Sequence, residues 1–160
     1  MKSLVVYSSQ TGNTRKLAEA VFEALPGEKE LYPVEKAPDP SAYGFIAVGF
    51  WFMRGQPDPK SGEYIGKIGN RELFLFATHA ARVGSEHAGQ GMEAAKALAS
   101  NADIRGTYSC QGQASPKILE KASGKPEPPV WLADAPDAIG HPNQADIEAL
   151  NYMIAELFRS

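Results

Sequence analysis

The residues best suited to chemistry stand together early in the chain, in the run Ser8-Ser9-Gln10-Thr11-Gly12-Asn13-Thr14. Hydroxyls at Ser9, Thr11 and Thr14 surround a glycine that lets the backbone approach a ligand closely. A helix follows, and the first N–H groups of a helix have no partner of their own and face an anion well. The combination suits phosphate. The lysine that a triphosphate-binding loop places on its ligand is absent, so the cradle is neutral and fits a phosphate monoester rather than a nucleoside triphosphate with magnesium.

Hydrophobic spacing supplies the elements that must position this loop. Leu4-Val5-Val6-Tyr7 is a short β-prone run ending at the loop. Leu17, Ala18, Val21, Phe22 and Leu25 then recur at helical spacing until Pro26-Gly27 stops them. A weaker strand lies near Glu30 to Val34. Gly44 to Phe50 is apolar on both faces, as a central strand covered from both sides is. A loop carrying Arg54, Gly55, Pro57 and Pro59 leads to a short amphipathic piece around Tyr64, Ile65 and Ile68. Glu72 to Thr78 is a further buried strand, Met92, Ala95, Leu98 and Ala99 form a helical stripe, and Ile104 to Cys110 is a fifth strand. Pro116 to Ala122 reads as a short helix, and Ile147, Leu150, Ile154, Leu157 and Phe158 share one face of a last helix capped by Asn143. Strands alternating with helices imply a parallel sheet covered on both faces, with ligands at the carboxyl ends of the strands.

The composition narrows the function classes. At 160 residues, one domain over 1–160 is expected, with a Pro-rich insertion at about 111–142 before the last helix. Sixteen basic residues against 19 acidic ones give a net charge of -3, without the basic excess of a nucleic-acid binder. Apolar runs are too short for a membrane span. The single cysteine, Cys110, excludes an internal disulfide and a thiolate zinc site. Met1-Lys2-Ser3-Leu4 leads straight into a strand with no leader-like stretch, so a cytoplasmic protein is expected, and a monomer or weak dimer is the expected assembly.

The run from Val5 to Thr14, followed by Ala18 and Val21, resembles the N-terminal FMN-binding signature of flavodoxins along its whole length. The resemblance implies the flavodoxin-like α/β fold, a doubly wound five-stranded parallel sheet in the order 2-1-3-4-5 with helices on both faces. It implies FMN as cofactor, its phosphate held by Ser9, Gln10, Thr11, Gly12, Asn13 and Thr14. The loops after the third and fourth strands then enclose the isoalloxazine. By position, Trp51 is the candidate to lie on the ring with Phe52 beside it, and Thr78, His79 and Gly84 come from the second loop. The implied function is electron transfer between a reductase and an acceptor protein, with no metal and no side-chain catalyst.

Three departures from the family bear on that function. The loop Thr78-His79-Ala80-Ala81-Arg82-Val83-Gly84 carries no aromatic ring except an imidazole, where flavodoxins commonly place a tyrosine. From Arg54 to Arg71 the charges are Arg54, Lys60, Lys67 and Arg71 against Asp58 and Glu63, where flavodoxins are acidic. Arg54 and Lys60 are therefore expected to favour reduced flavin. The stretch Gln111 to Pro142 is longer than short flavodoxins need, and reads either as a device for partner or substrate access at the flavin edge or as a rigid surface loop. An open flavin face supports an alternative, an FMN-dependent NAD(P)H reductase of quinones or another small acceptor.

Other features carry plainer readings. Trp51 follows a buried strand and equally suits the core, while Phe52 and Met53 divide between core and rim. His79 equally suits a helix cap or a solvated position. His87 and His141 have no metal-ligand spacing. Gly89-Gln90-Gly91-Met92-Glu93-Ala94 imitates a dinucleotide fingerprint but lies too far from the preceding strand, and reads as the start of a helix. Cys110 reads as a small buried residue.

Overall fold

The computed structural model describes residues 1–159. Alternation along the strands divides the core into two halves, because consecutive strand side chains point to opposite faces. Strand β1 (Ser3–Tyr7) sends Val5 to one side and Leu4 and Val6 to the other. The Val5 side also holds Phe45 and Ala47 of β3 (Phe45–Met53), Phe74 and Phe76 of β5 (Glu72–His79) and Cys110 of β6 (Asp103–Gln111). These pack on Leu17, Ala18 and Val21 of α1 (Asn13–Ala24) and on Leu150 and Ile154 of α5 (Gln144–Leu157). On the other face Ile46, Val48, Phe50, Leu73 and Leu75 meet Tyr64 and Ile65 of α2 (Pro59–Ile65) and Ala95 of α3 (Glu86–Leu98). Phe45, Phe50, Phe74 and Phe76 are fully buried, each contributing about 1.5–3 kcal/mol of apolar transfer.

With β2 (Lys29–Pro33) at one edge, the main strands run β2-β1-β3-β5-β6 and every neighbouring pair is parallel. This is the expected five-strand order, with β4 (Gln56–Pro57) added as a short antiparallel partner at the end of β3. That addition corrects the boundary of the third strand. Pairing continues past Phe50, which faces Ala77, to Trp51, which faces Thr78, and Phe52 and Met53 then pair with Pro57 and Gln56. Trp51 and Phe52 are thus strand residues rather than loop residues. The turn that sends the chain back is Arg54-Gly55, both at positive φ (54° and 77°), the backbone of a two-residue hairpin whose twist matches its strands. Thr78 and His79 likewise belong to β5.

Residues 111–142 are more ordered than their prolines suggest. Ser115 caps α4 (Pro116–Ser123) with Pro116 in its first turn, and 3-10 turns cover Val130–Ala138. The glycine pair expected at the start of a helix lies within α3, whose cap is Ser85. No helix among the described residues is long and apolar enough to cross a membrane.

Candidate functional site

The carboxyl ends of β1, β3, β5 and β6 surround a cavity of about 560 Å³. Ser9, Gln10, Thr11, Asn13, Thr14, Trp51, Phe52, Thr78 and His79 all line it. Gly12 sits at the cap of α1, and Gly84 belongs to the turn before α3 and is not part of the wall.

The loop end of the cavity presents hydroxyls and an uncapped helix start. Side chains cap α2, α3, α4 and α5, but the cap of α1 is Gly12, which offers none. Its φ of 93° suits glycine, and a Cβ there would meet nothing within 4 Å, so the demand is conformational rather than steric. Ser9 Oγ accepts the Gly12 N–H at 3.0 Å, which folds the loop back over the helix start. The first-turn N–H groups of α1 are thus left without a side-chain cap. Thr14 is different. Its hydroxyl is buried, 3.0 Å from Thr78 Oγ1 and 3.5 Å from the Phe50 carbonyl, so it ties α1 to the ends of β3 and β5.

Trp51 and Phe52, adjacent in the strand, go to opposite faces. The half-buried Trp51 donates its indole N–H to Ser8 Oγ at 3.3 Å, and its backbone N–H to Asp58 Oδ1 at 3.3 Å. Phe52 stacks on His79 with ring centres 5.0 Å apart and meets His87 edge-on at 5.9 Å. A Cβ on Gly91 would stand 2.4 Å from the Phe52 ring, so glycine in α3 makes room for it. His79 is neither solvated nor a helix cap. It is buried, with Nδ1 2.7 Å from the Ala81 carbonyl. A carbonyl only accepts, so Nδ1 carries the proton and Nε2 is left with its lone pair and no partner. Burial pushes the histidine pKa down and keeps the ring neutral.

The segment after β6 closes the cavity. Gly112 N–H donates to the His79 carbonyl (2.8 Å), Gln111 Nε2 to the Ala80 carbonyl (3.0 Å), and Asn13 Nδ2 to the Gln113 carbonyl (3.0 Å).

A family model described as a flavodoxin domain matches residues 4–155. The chain belongs to the flavodoxin domain family. The flavodoxin-like domain-containing protein BilS of Clostridioides difficile strain CD3 is 31% identical over 130 residues, 78% of this chain and 72% of that protein. Among solved structures, the flavodoxin of Streptococcus pneumoniae TIGR4 superposes with a TM-score of 0.64 at 13% identity, covering 98% of this chain and 97% of the other. A flavoprotein of Lactobacillus acidophilus NCFM in complex with FMN gives 0.56 at 17% identity, over 76% and 98%. At such identities these two structures establish the shared fold.

Within this flavodoxin domain residues 111–142, expected either at the flavin edge or as a surface loop, supply one wall through side chains that the sequence analysis did not single out. Ile118 and Lys121 of α4, with Lys125, Pro129 and Val130, line the cavity opposite the sheet ends. The signal was present in the spacing of Ile118 and Lys121, which falls on one helical side, while Lys125 lies beyond the helix end. Lys60 corrects the expectation in the other direction. It pairs with Glu35 at 3.1 Å and is not in the wall, whereas Arg54 is. Burial pushes the Cys110 thiol up to about 12, which makes it inert at neutral pH. Among the described residues no cluster of His, Cys, Asp or Glu has the arrangement of a metal site.

Proposed function

We propose that this flavodoxin domain binds FMN in the cavity and transfers electrons between a reductase and an acceptor protein. The observation that carries the reading is the uncapped start of α1, which opens through Ser9, Thr11 and Asn13 into a cavity flanked by Trp51. The donor set fits the cofactor. Amides and hydroxyls suit a phosphate monoester, and the Trp51, Phe52 and Met53 part of the wall suits a flat ring system. The flavoprotein of Lactobacillus acidophilus NCFM, solved with FMN, has the same fold and lends support. FMN supplies the electron chemistry when bound, while the protein supplies binding, orientation and electrostatics. In this reading Ser9 to Asn13 hold the phosphate, Trp51 lies against the ring, and Thr14 with Thr78 braces the loop from behind. Phe52 and His79 form the adjoining wall. Residues 111–142 act as an insertion over the cavity within a single cytoplasmic domain.

The test is reconstitution of the purified protein with FMN and with riboflavin. FMN is expected to bind at least tenfold more tightly, since a hydrogen bond to a charged group is worth about 1.5–3 kcal/mol. Equal affinities, or no flavin bands in the absorbance spectrum, would remove the reading. A second reading, direct reduction of a small acceptor, is favoured by the segment after β5. It contributes Ala80 to the wall and carries no aromatic ring before α3 begins. Anaerobic mixing with NADH or NADPH separates the two, because bleaching without a separate reductase belongs only to the second.

A further inference from the structure

The cavity carries charge of one sign. Arg54, Lys121 and Lys125 line it and no Asp or Glu does, although the chain has 19 acidic residues against 16 basic ones. The bias is one of placement rather than composition. Between residues 111 and 142 the chain carries Lys117, Lys121 and Lys125 against Glu120, Glu127, Asp134 and Asp137, yet only Lys121 and Lys125 reach the wall. Among the described residues none of the three cavity cations forms an ion pair, while Lys2, Lys60, Lys67, Lys96 and Arg105 all do. A cleft lined by one sign of charge with apolar walls focuses the field onto whatever enters it.

The two lysines do not sit at the loop end. Ser115, the cap of α4, shares a wall with Thr11 and Asn13. Lys121 lies about 9 Å along the helix axis from that cap, at 1.5 Å per residue, and Lys125 follows beyond the end of the helix. The cavity therefore has two polar ends, amides and hydroxyls at one and cations at the other. Apolar surface surrounds the second end, where Val130 is 75% exposed and Ile118 36% exposed.

Resting on the FMN reading above, we propose that the cationic end binds the acidic group of a second small molecule, a flat organic anion whose apolar body lies against Ile118, Val130 and Trp131. This names the substrate class for the direct-acceptor reading. A small ligand fits better than an acidic protein surface, because the lysines are directed to the cavity wall while the acids of the same segment are not.

The experiment uses the full chain, first saturated with FMN, then titrated with anthraquinone-2-sulfonate and with neutral 2-hydroxymethylanthraquinone, following the flavin absorbance and the heat of binding. The sulfonate is expected to bind at least tenfold more tightly, and to weaken as salt is raised. In the double variant Lys121→Gln, Lys125→Gln its affinity falls about tenfold, and Lys121→Arg, Lys125→Arg restores it. Both lysines are solvent-exposed, so the fold survives either exchange, and each variant is titrated only after its absorbance shows saturation with FMN. Equal binding of the charged and neutral quinones overturns the proposal. A loss of FMN affinity in the Gln variant with riboflavin unaffected also overturns it, since the lysines then serve the flavin phosphate. Binding of poly-L-glutamate without binding of the sulfonate overturns it in favour of an acidic protein partner. Failure of the unaltered chain to take up FMN removes the underlying reading instead, and is seen at the first step.

Discussion

Thr14 shows how a residue of the right type for a ligand can be committed to the protein. Its buried hydroxyl joins Thr78 and the Phe50 carbonyl, so Thr14→Ala removes a link among three elements. Urea unfolding of the flavin-free chain is expected to show a loss of about 1–3 kcal/mol, the cost of leaving a buried polar group unsatisfied. His79 is polar, buried and neutral, and its contribution has a direction in pH. Burial lowers its folded-state pKa below the ordinary value of 6.5. Once pH falls through that value the unfolded chain binds the proton and the folded chain resists it, so stability is lost on the acid side and is complete above it. The fall in unfolding midpoint between pH 7.5 and 5.5 is accordingly smaller in His79→Gln than in the unaltered chain. Arg54 and Lys60, alike in sequence, separate in space. With FMN bound, Arg54→Gln is expected to lower the midpoint potential by on the order of tens of millivolts, through loss of a nearby positive charge screened by solvent. Lys60→Gln, whose charge is already matched by Glu35, leaves the potential nearly unchanged in the same titration.

The hairpin of β3 and β4 holds both aromatic walls, and two contacts position it. Asp58 accepts from the Trp51 backbone and from Ser61 at the start of α2, and Phe52 fills the space left open by Gly91. Gly91→Ala therefore forces the Phe52 ring aside. Thermal unfolding should report about 1–3 kcal/mol of overpacking, partly relieved by Phe52→Leu in the same chain. The sequence was clear about elements wherever apolar spacing runs on. The helix from Leu17 to Val21, the buried strands around Val48 and Leu75, and the Asn143 cap all stand as expected. It was unclear at the ends. Phe50-Trp51-Phe52-Met53 continues as strand because β5 and β4 supply backbone partners, and no local spacing reveals a partner distant in the chain. Arg54-Gly55 did hold a hairpin signal in its glycine, masked by an arginine in a conformation usually left to Asn or Asp. The α4 wall was hidden for a related reason. A periodic face shows which residues point together, while the face they meet is decided by where the helix docks.

At the scale of the whole molecule, one hydrogen bond joins the first residue of α1 to the segment after β6, from Asn13 to Gln113, across 100 residues of chain. Its ends come together only after the strands between them have found their order, and the entropy of closing so long a loop precedes any gain from the contact. The cradle and its far wall are therefore expected to meet only after β1, β3, β5 and β6 have assembled. A chain that has formed β1 and α1 but has not docked β6 has the loop of residues 8–12 with no cavity beside it. Flavin capture in a refolding experiment should consequently trail the protection of the central strand amides against hydrogen exchange. Excess flavin present from the start should leave the refolding rate unchanged while slowing the unfolding rate, since the cofactor recognises only the finished arrangement.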